Sequence, residues 1–270
     1  MGESGDRLKV LHILECLANS PSGLGVSEVS RRVEIPKSSV HRFLIAMEEE
    51  GYVVKEVAGK RYRLGAKVLQ LADAYSRIVD IRELARPYLR NLLDLTQETI
   101  HLVQLEETAG VYIDKLDTPQ PIGLMSRIGK RIPLYSTAAG KAILAYLPES
   151  RVRAVVSRVG LEPQTPNTIT SYARLLEALS EVRRGGYAID DNENRLGVVC
   201  IGAPILDYQG WAVGAISISA PASRMTPSQA ERYAPELLTA ALKASSALGY
   251  HPDARISGWA MNEPAGAGKG

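Results

Sequence analysis

The first fifty residues carry hydrophobic side chains at helical spacing in three successive stretches. In the first stretch an adjacent apolar pair, Val10 and Leu11, is followed at three-residue intervals by Leu14 and Leu17. This spacing predicts a helix with one buried face. Ser27 is a suitable N-cap for a second helix, which carries Val29 and Val33. A short turn then leads to the third stretch.

The third stretch predicts a helix with two different faces. Its apolar side chains recur at helical spacing, at Val40, Phe43, Leu44 and Met47. Polar side chains are left on the outer face, at Ser38, Ser39, His41 and Arg42. Such a face suits the edge of a DNA duplex, although an ordinary surface helix also presents one. The two helices before it favour the first interpretation, a helix-turn-helix.

Two short runs of partly alternating residues, 52–55 and 61–64, follow this helix. They predict a β-hairpin with Gly59 in its turn. Against one acidic residue, Glu56, this region has basic residues at Lys55, Lys60, Arg61, Arg63 and Lys67. A local positive excess is expected where a hairpin meets DNA phosphates. Residues 1–66 are therefore predicted to form a winged helix-turn-helix DNA-binding domain.

Composition limits the alternatives. With 270 residues, 45% of them hydrophobic, the chain is long enough for about two domains. A net charge of only +2 means that DNA affinity must come from local clusters of basic residues. Cys16 and Cys200 lie far apart, which favours a reducing cytoplasm. No apolar run reaches about 18 residues, so no membrane span is expected, and the polar start predicts no secretory signal.

A further amphipathic helix, residues 67–80, is predicted to connect the domains. Its apolar stripe consists of Val68, Leu69, Leu71, Ala72 and Tyr75. This segment is expected to act as a rigid arm rather than a loose linker. The stripe predicts either a dimer contact or packing onto the next domain. A dimer would fit a protein that reads two DNA half-sites.

Residues 81–251 alternate between helical and strand patterns. Helices are predicted at residues 84–95, 137–147, 171–186 and 226–249, and strands at 100–105, 111–116, 122–125, 197–205 and 211–219. Short turns join consecutive strands, which predicts a largely antiparallel sheet covered by helices, an α+β domain that can enclose a ligand. The tail, residues 252–270, ends in a Gly- and Ala-rich stretch and is predicted to be disordered.

Small polar residues recur on one face of two of these strands. Ser217 and Ser219 alternate with isoleucines, so strand periodicity places both hydroxyls on the same face. Val198 and Cys200 share a face of the preceding strand, and Cys200 comes close to the serines if the two strands pair. Buried hydroxyls require partners, which a ligand could supply. The alternative is ordinary structure, since cysteine is a common core residue and strand serines are often solvated.

Two further segments offer groups that suit an acid ligand. Residues 136–141 begin a helix with hydroxyls and small side chains, so backbone N–H groups can approach an anion at the positive end of the helix. The alternative is a simple N-cap. The stretch 190–193 supplies acceptors for ligand hydroxyls or else forms a solvated loop. Together these groups suit a small hydroxylated acid.

Other functional classes fit the sequence less well. No G-x-S-x-G or H-E-x-x-H motif occurs, and the four histidines have no catalytic spacing, so no enzyme activity and no cofactor are expected. A metal-sensing regulator would have only Cys200 and Asp190 as converging ligands, which is a poor metal site without a histidine. A protein-interaction module would leave the basic hairpin unexplained.

From about residue 8 to residue 250 the chain resembles IclR-type bacterial transcription regulators. The motifs that carry the resemblance are residues 35–42, 51–52, 62–65, 137–142 and 186–188, and the strand with Ser217 and Ser219. Each motif is weak alone, and together they are specific. The resemblance implies a DNA-binding homodimer, often a dimer of dimers, whose second domain has a GAF-like fold and binds a small organic acid.

The resemblance and the winged-helix pattern also assign residues. The resemblance implies effector contacts at Thr137, Ala138, Asp190, Cys200, Ser217 and Ser219, with Val198 as an apolar wall. The winged helix implies operator DNA contacts at Ser27, Lys37, Ser38, Ser39, His41, Arg42, Lys60 and Arg61. Arg42 is the candidate for a guanine edge, and Lys60 or Arg61 for phosphates.

Four segments resemble the sugar-acid regulators of the family: residues 111–117, 126–131, 133–137 and 248–251. They imply a repressor whose effector is a sugar acid such as 2-keto-3-deoxygluconate. Residues 123–125 depart from that subgroup, because a cation expected there is missing, and strand alternation places Arg127 on the face of Gly123. The alternative is an activator of aromatic or other carboxylic acid catabolism. The acid would alter operator affinity by binding two arrangements of the winged domains differently.

Overall fold

Three helices and a hairpin fold together at the start of the chain. The computed structural model describes residues 3–56, 60–78 and 80–251, which divide into one unit up to residue 78 and another from Asp80 onward. The first unit contains α1 (Glu3–Ala18), α2 (Val26–Val33), α3 (Lys37–Glu49), β1 (Val53–Lys55), β2 (Tyr62–Leu64) and α4 (Lys67–Ile78). β1 and β2 pair antiparallel, which confirms the winged helix-turn-helix. The expected turn at Gly59 and the tail at 252–270 lie outside the described residues.

One apolar cluster holds α1, α2, α3 and the hairpin together. Its fully buried members include Ile13, Val29, Val40 and Leu44. The prediction that Leu11 belongs to this core is wrong, because its side chain is 53% exposed. Ile13 takes its place, about 200° further round the helix. The predicted inner face of α3 is confirmed by Val40 and Leu44, which are completely buried.

The second helix begins two residues earlier than predicted. α2 starts at Val26, so Ser27 lies inside the helix and the prediction that it is the N-cap is wrong. Gly25 is the N-cap. Its backbone N–H donates to Glu28 Oε2 at 2.8 Å, and its carbonyl accepts from the Glu28 N–H at 3.0 Å. The Glu28 carboxylate thus fixes the start of α2 from within the first turn.

The predicted connecting helix is present as α4 and groups with the first unit. It follows the hairpin directly, and the Lys67 N–H donates to the Gly51 carbonyl at 3.2 Å. The predicted apolar stripe is largely exposed in the single chain, with Leu69 at 73% and Leu71 at 53%. Apolar side chains in such a row are a candidate contact surface.

The second unit is built on a six-stranded sheet. Its elements are α5 (Ile81–Thr96), β3 (Thr99–Glu106), β4 (Ala109–Leu116), β5 (Arg131–Ile132), α6 (Ala138–Ala145), α7 (Glu149–Val159), α8 (Tyr172–Gly185), β6 (Ala188–Asp191), β7 (Val198–Leu206), β8 (Ala212–Pro221), α9 (Pro227–Glu231) and α10 (Ala234–Ala247). The strand order is β5-β4-β3-β8-β7-β6, and all neighbours are antiparallel. This confirms the predicted α+β class and antiparallel sheet.

The sheet separates two apolar clusters. Ile216 and Ile218 belong to the cluster that includes α5, α9 and α10. Residues of α6, α7 and α8 form the second cluster. Ser217 and Ser219 point away from the two isoleucines, as strand periodicity predicts. None of the helices within the described ranges is long and apolar enough to cross a membrane.

Two predicted elements of this unit are wrong. Residues 122–125 form no strand, and Ile122 and Met125 are 68% and 82% exposed. Proline at positions 119 and 121 removes backbone donors that strand pairing needs. The whole stretch 117–130 is irregular, and we call it the cover segment. The predicted helix 226–249 is divided into α9 and α10, because Pro235 cannot continue a helix across the turn at Arg232 and Tyr233.

Candidate DNA-binding surface and ligand pocket

The outer face of α3 is polar and open to solvent. Lys37, Ser38, His41 and Arg42 are exposed as predicted, whereas Ser39 is half-buried. The Arg42 guanidinium lies 5.5 Å from the centroid of the Phe43 ring. These side chains can therefore contact another molecule without a change in the core beneath them.

The hairpin residues differ in how firmly they are held. Arg61 Nη2 donates to the Gly23 carbonyl at 2.8 Å and forms an ion pair with Glu28 at 3.3 Å. The Arg61 side chain, 38% exposed, thereby joins the hairpin to the start of α2. Lys60 is exposed, and its positive φ of 50° marks the turn side of β2. Ser27 is exposed on α2.

All the residues predicted to bind an effector line one cavity of about 70 Å³ in the second unit. They are Thr137, Ala138, Asp190, Val198, Cys200, Ser217 and Ser219. Strand register brings them together, because Asp190 pairs with Cys200 and Cys200 pairs with Ser219 across three neighbouring strands. The predicted approach of Cys200 to the serine strand is therefore correct.

The start of α6 forms one wall of this cavity. Thr137 is its N-cap and accepts from the Gly140 N–H at 3.1 Å. The N–H groups of Ala138 and Ala139 precede the first intrahelical bond and belong to residues that line the cavity. Glycine at 202 permits this approach, because a Cβ there would come within 2.8 Å of backbone atoms of Ala138 and Ala139. Two backbone donors at a helix N-terminus can bind an anion.

His101 and Tyr112 also line the cavity, and the sequence analysis did not identify them. His101 is 1% exposed, and its ring stacks on Tyr112 with centroids 4.3 Å apart. Its Nε2 lies 2.7 Å from Ser126 Oγ in the cover segment, and its Nδ1 lies 3.4 Å from Ser219 Oγ. Burial, helped by the charge of Lys115, lowers the pKa of His101 to about 3, so the ring is neutral.

Asp190 is held by backbone donors at the opposite side of the cavity. Its Oδ1 accepts from the Glu193 N–H at 2.8 Å and the Asn194 N–H at 3.3 Å. Burial raises the pKa of Asp190 to about 7 despite these bonds. The carboxyl group is therefore neutral in slightly acidic solution and ionised in slightly alkaline solution.

A buried ion pair supports this side of the cavity. Lys141 Nζ contacts Glu193 Oε1, and the two side chains are only 6% and 12% exposed. Burial raises the pKa of Glu193. Its Oε2 has no hydrogen-bond partner among the described residues. Glu193 is therefore not a free acceptor of the stretch 190–193, because its carboxylate lies against Lys141.

Arg127 does not line the cavity, although two other cations do. Arg127 does not share a strand face with Gly123, because no strand forms there. Lys130 and Arg195, both exposed, are the cations that line the cavity. Burial raises the pKa of the Cys200 thiol, which stays protonated at neutral pH. Within the described ranges, no three His, Cys, Asp or Glu side chains are grouped to hold a metal ion.

Both units match known protein families. Residues 8–56 match the IclR helix-turn-helix domain, and residues 73–246 match the bacterial transcriptional regulator IclR C-terminal domain. The chain belongs to the IclR family. IclR-family proteins are DNA-binding transcriptional regulators, so the chain is a regulator and not an enzyme.

Named relatives agree with this membership. The transcriptional regulator KdgR of Escherichia coli is 40% identical over 244 residues, which cover 90% of this chain and 92% of KdgR. Among solved structures, that of the Agobacterium tumefaciens repressor BlcR superposes with a TM-score of 0.68 at 32% sequence identity. The match covers 93% of this chain and all of the BlcR chain. The C-terminal domain of E. coli KdgR is 39% identical with a TM-score of 0.58, covering 64% of this chain and all of that domain.

Proposed function

We propose that this IclR-family protein is a repressor whose operator affinity is altered by a small sugar acid bound in the second unit. The observation that carries the proposal is the cavity itself. Side chains from four separate elements place carboxyl, thiol and hydroxyl groups around one small space beside two backbone donors. Polar groups in a buried cavity need partners, and a hydroxylated acid supplies both an anion and hydroxyls.

The carboxylate of the acid would bind at the start of α6. Backbone N–H groups of Ala138 and Ala139 point out of the helix N-terminus, where the helix dipole favours negative charge. Lys130 and Arg195 at the cavity rim add positive charge for an anion to approach. No other charged group is then needed on the strands.

The hydroxyls of the acid would bind Ser217, Ser219 and Asp190. These groups lie on the strands next to Gly202, over which α6 begins. An aromatic ring in the same place would bury them without hydrogen bonds, at a cost of about 1–3 kcal/mol for each group. The lining therefore favours a sugar acid such as 2-keto-3-deoxygluconate over an aromatic acid.

The DNA contacts would come from α3 and the hairpin. Arg42 and His41 are exposed at the surface that enters a major groove in winged helix-turn-helix proteins, with Arg42 against a guanine edge. Lys37, Ser38, Ser39 and Ser27 would contact the duplex around it, and Lys60 would contact phosphates. Arg61 would act mainly by holding the hairpin, since its guanidinium already binds protein groups.

The active form would be a cytoplasmic homodimer or a dimer of such dimers. The exposed leucines of α4, Leu69 and Leu71, would supply part of the dimer contact. Two winged units are needed to read two half-sites. The acid can change DNA affinity only to the extent that it binds two arrangements of this dimer differently.

Fluorescence anisotropy on the DNA upstream of the protein's own gene tests the proposal. At fixed salt, the full chain should bind this DNA tightly, and 2-keto-3-deoxygluconate should weaken binding. Ser217→Ala/Ser219→Ala should keep DNA binding and lose the response to the acid. Tight binding that only an aromatic acid changes would contradict the sugar-acid assignment, and stronger binding with the acid would contradict the repressor role.

A further inference from the structure

A polar row crosses the sheet along the cavity, and it ends at a residue to which the proposed function gives no role. Gly202 pairs with Ser217, and Ser217 pairs with His101 in the next strand. Because α6 begins over Gly202, the proposed carboxylate site lies at one end of this row. His101 lies two strands away, about 10 Å at the usual spacing between strands.

The His101 ring is fixed in place from three sides. Tyr112 stacks on it, Ser219 approaches Nδ1, and the Ser126 hydroxyl lies 2.7 Å from Nε2. A neutral imidazole has one N–H donor and one acceptor nitrogen. Such a ring suits a hydroxyl, which can donate or accept, and it has no charge with which to attract a carboxylate.

Of these three residues, Ser126 is the one that does not belong to a strand. It belongs to the cover segment, which has no strand pairing at this point. The segment is held beside it by Lys115 Nζ, which donates to the carbonyls of Leu124 and Ser126 at 3.2 and 3.1 Å. The Ser126 hydroxyl can therefore leave His101 while its backbone remains bound to Lys115.

We propose that His101 is the residue that selects the acid by length, with a ligand hydroxyl replacing Ser126 Oγ at His101 Nε2. This inference rests on the proposed binding of the carboxylate at α6. With C–C bonds of about 1.5 Å and a final hydrogen bond of about 2.8 Å, an extended six-carbon acid bridges the row. A three-carbon acid ends over Ser217 and does not reach His101. The exchange loses one hydrogen bond and gains one.

Calorimetric titration of the full chain with two 2-oxo acids tests this selection. 2-Keto-3-deoxygluconate and pyruvate share the carboxylate and the oxo group, and only the first has a hydroxylated tail. His101→Phe keeps a ring on Tyr112 and removes both hydrogen-bonding nitrogens. We expect it to weaken binding of the six-carbon acid about fivefold to tenfold, because the tail hydroxyl would be buried without a partner, and to leave pyruvate affinity unchanged.

Two further variants make the test decisive. His101→Gln, which can place an amide near the position of Nε2, should restore part of the lost affinity. Ser126→Ala, on the surface-exposed cover segment, removes the hydroxyl that competes with the ligand and should strengthen binding of the six-carbon acid about twofold to fivefold. His12→Phe, at an exposed histidine of the first unit, is the matched control and should change neither affinity.

The outcomes separate this inference from the proposed function. If the wild-type chain binds neither acid, the proposed effector is wrong and the inference falls with it. If the wild type prefers the six-carbon acid but His101→Phe keeps the same ratio of affinities, or lowers both equally, His101 does not select by length although the effector stands. Weaker binding of the six-carbon acid by Ser126→Ala would show that the ligand uses Ser126 rather than replaces it.

Discussion

The two polar sites of this chain are built in opposite ways. On α3 the side chains of His41 and Arg42 project into solvent from a helix whose core face is complete without them. Behind the cavity, polar groups are buried and bound to one another, as with Lys141 and Glu193. A side chain on the outer face of α3 can be replaced at little cost to the fold, whereas the residues at and behind the cavity contribute to both folding and binding.

The largest loss of stability is expected from a substitution at Lys141, behind the cavity. Lys141→Met leaves the Glu193 carboxylate buried without its partner, which should lower the free energy of unfolding by about 3–5 kcal/mol. Urea unfolding of the full chain measures this. The matched control is Arg153→Met, whose ion pair with Glu149 is exposed, and it should change stability by less than about 1 kcal/mol.

A second substitution separates charge from packing at this pair. Lys141→Met/Glu193→Gln removes both charges and should recover part of the lost stability, because no uncompensated charge remains in the interior. Equal losses for the single and double variants would show that the unpaired charge of Glu193 is not the cause of the lost stability. If Lys141→Met lowers the free energy of unfolding as little as Arg153→Met does, the buried pair behind the cavity does not contribute to folding as we propose.

A substitution at Arg42, on the outer face of α3, should weaken DNA binding and leave stability unchanged. Arg42→Ala should weaken binding to the upstream DNA about tenfold to a hundredfold, equivalent to about 1–3 kcal/mol for a lost guanine contact. Its free energy of unfolding should stay within about 0.5 kcal/mol of wild type, because the side chain is exposed. Anisotropy at fixed salt and urea unfolding measure the two effects.

Arg184→Ala is the control for Arg42, since that side chain is 76% exposed on α8 in the second unit. It should alter neither DNA affinity nor stability. If Arg42→Ala binds DNA as tightly as this control does, α3 is not the recognition helix.

The sequence predicts features that depend on one helix or strand, and it does not predict those that depend on the pairing of distant strands. The two faces of α3 depend on residues within a few turns of one helix, and helical spacing identified them. Ser217 and Ser219 were placed on the correct face by the alternation within one strand. His101 was missed because its place beside Ser217 depends on the pairing of β3 with β8, which are distant in sequence. Local patterns do not report such register.

The strand predicted at residues 122–125 is absent from the structure for a related reason. Apolar residues alternate there as in a strand, at Ile122 and Leu124, but the prolines before them remove backbone donors. The stretch became a cover segment instead, and one of its hydroxyls, from Ser126, contacts His101. The cavity was therefore predicted from its strand and helix residues but not from its cover.

The smallest expected effect is a pH dependence that only the cavity should show. The pKa of Asp190, raised to about 7, lies above its ordinary value of 3.8. Its carboxyl group is neutral below about pH 7 and repels an anionic acid once ionised, so acid affinity should fall by up to about tenfold between pH 6 and pH 8. Calorimetric titrations across this range measure the change, and Asp190→Asn should flatten it.

Asp190 also links pH to folding. The unfolded chain releases this proton near pH 3.8 and the folded chain only near pH 7. Between these values the unfolded state binds fewer protons, so the contribution of Asp190 to stability falls as pH rises. In the absence of acid, DNA binding by the wild-type chain should show no such pH step. A step of equal size there, lost in Asp190→Asn, would mean that ionisation of Asp190 alone alters operator affinity.

The central claim is that the acid in the cavity and the DNA on α3 influence each other through one protein. Reciprocal titration tests it most directly: the dissociation constant for upstream DNA with and without saturating 2-keto-3-deoxygluconate, and that for the acid with and without DNA. Linkage requires that acid raises the dissociation constant for DNA by the same factor as DNA raises that for acid. We predict a factor of at least about five in each experiment. Unchanged constants in both, with acid and DNA each bound, would contradict the account.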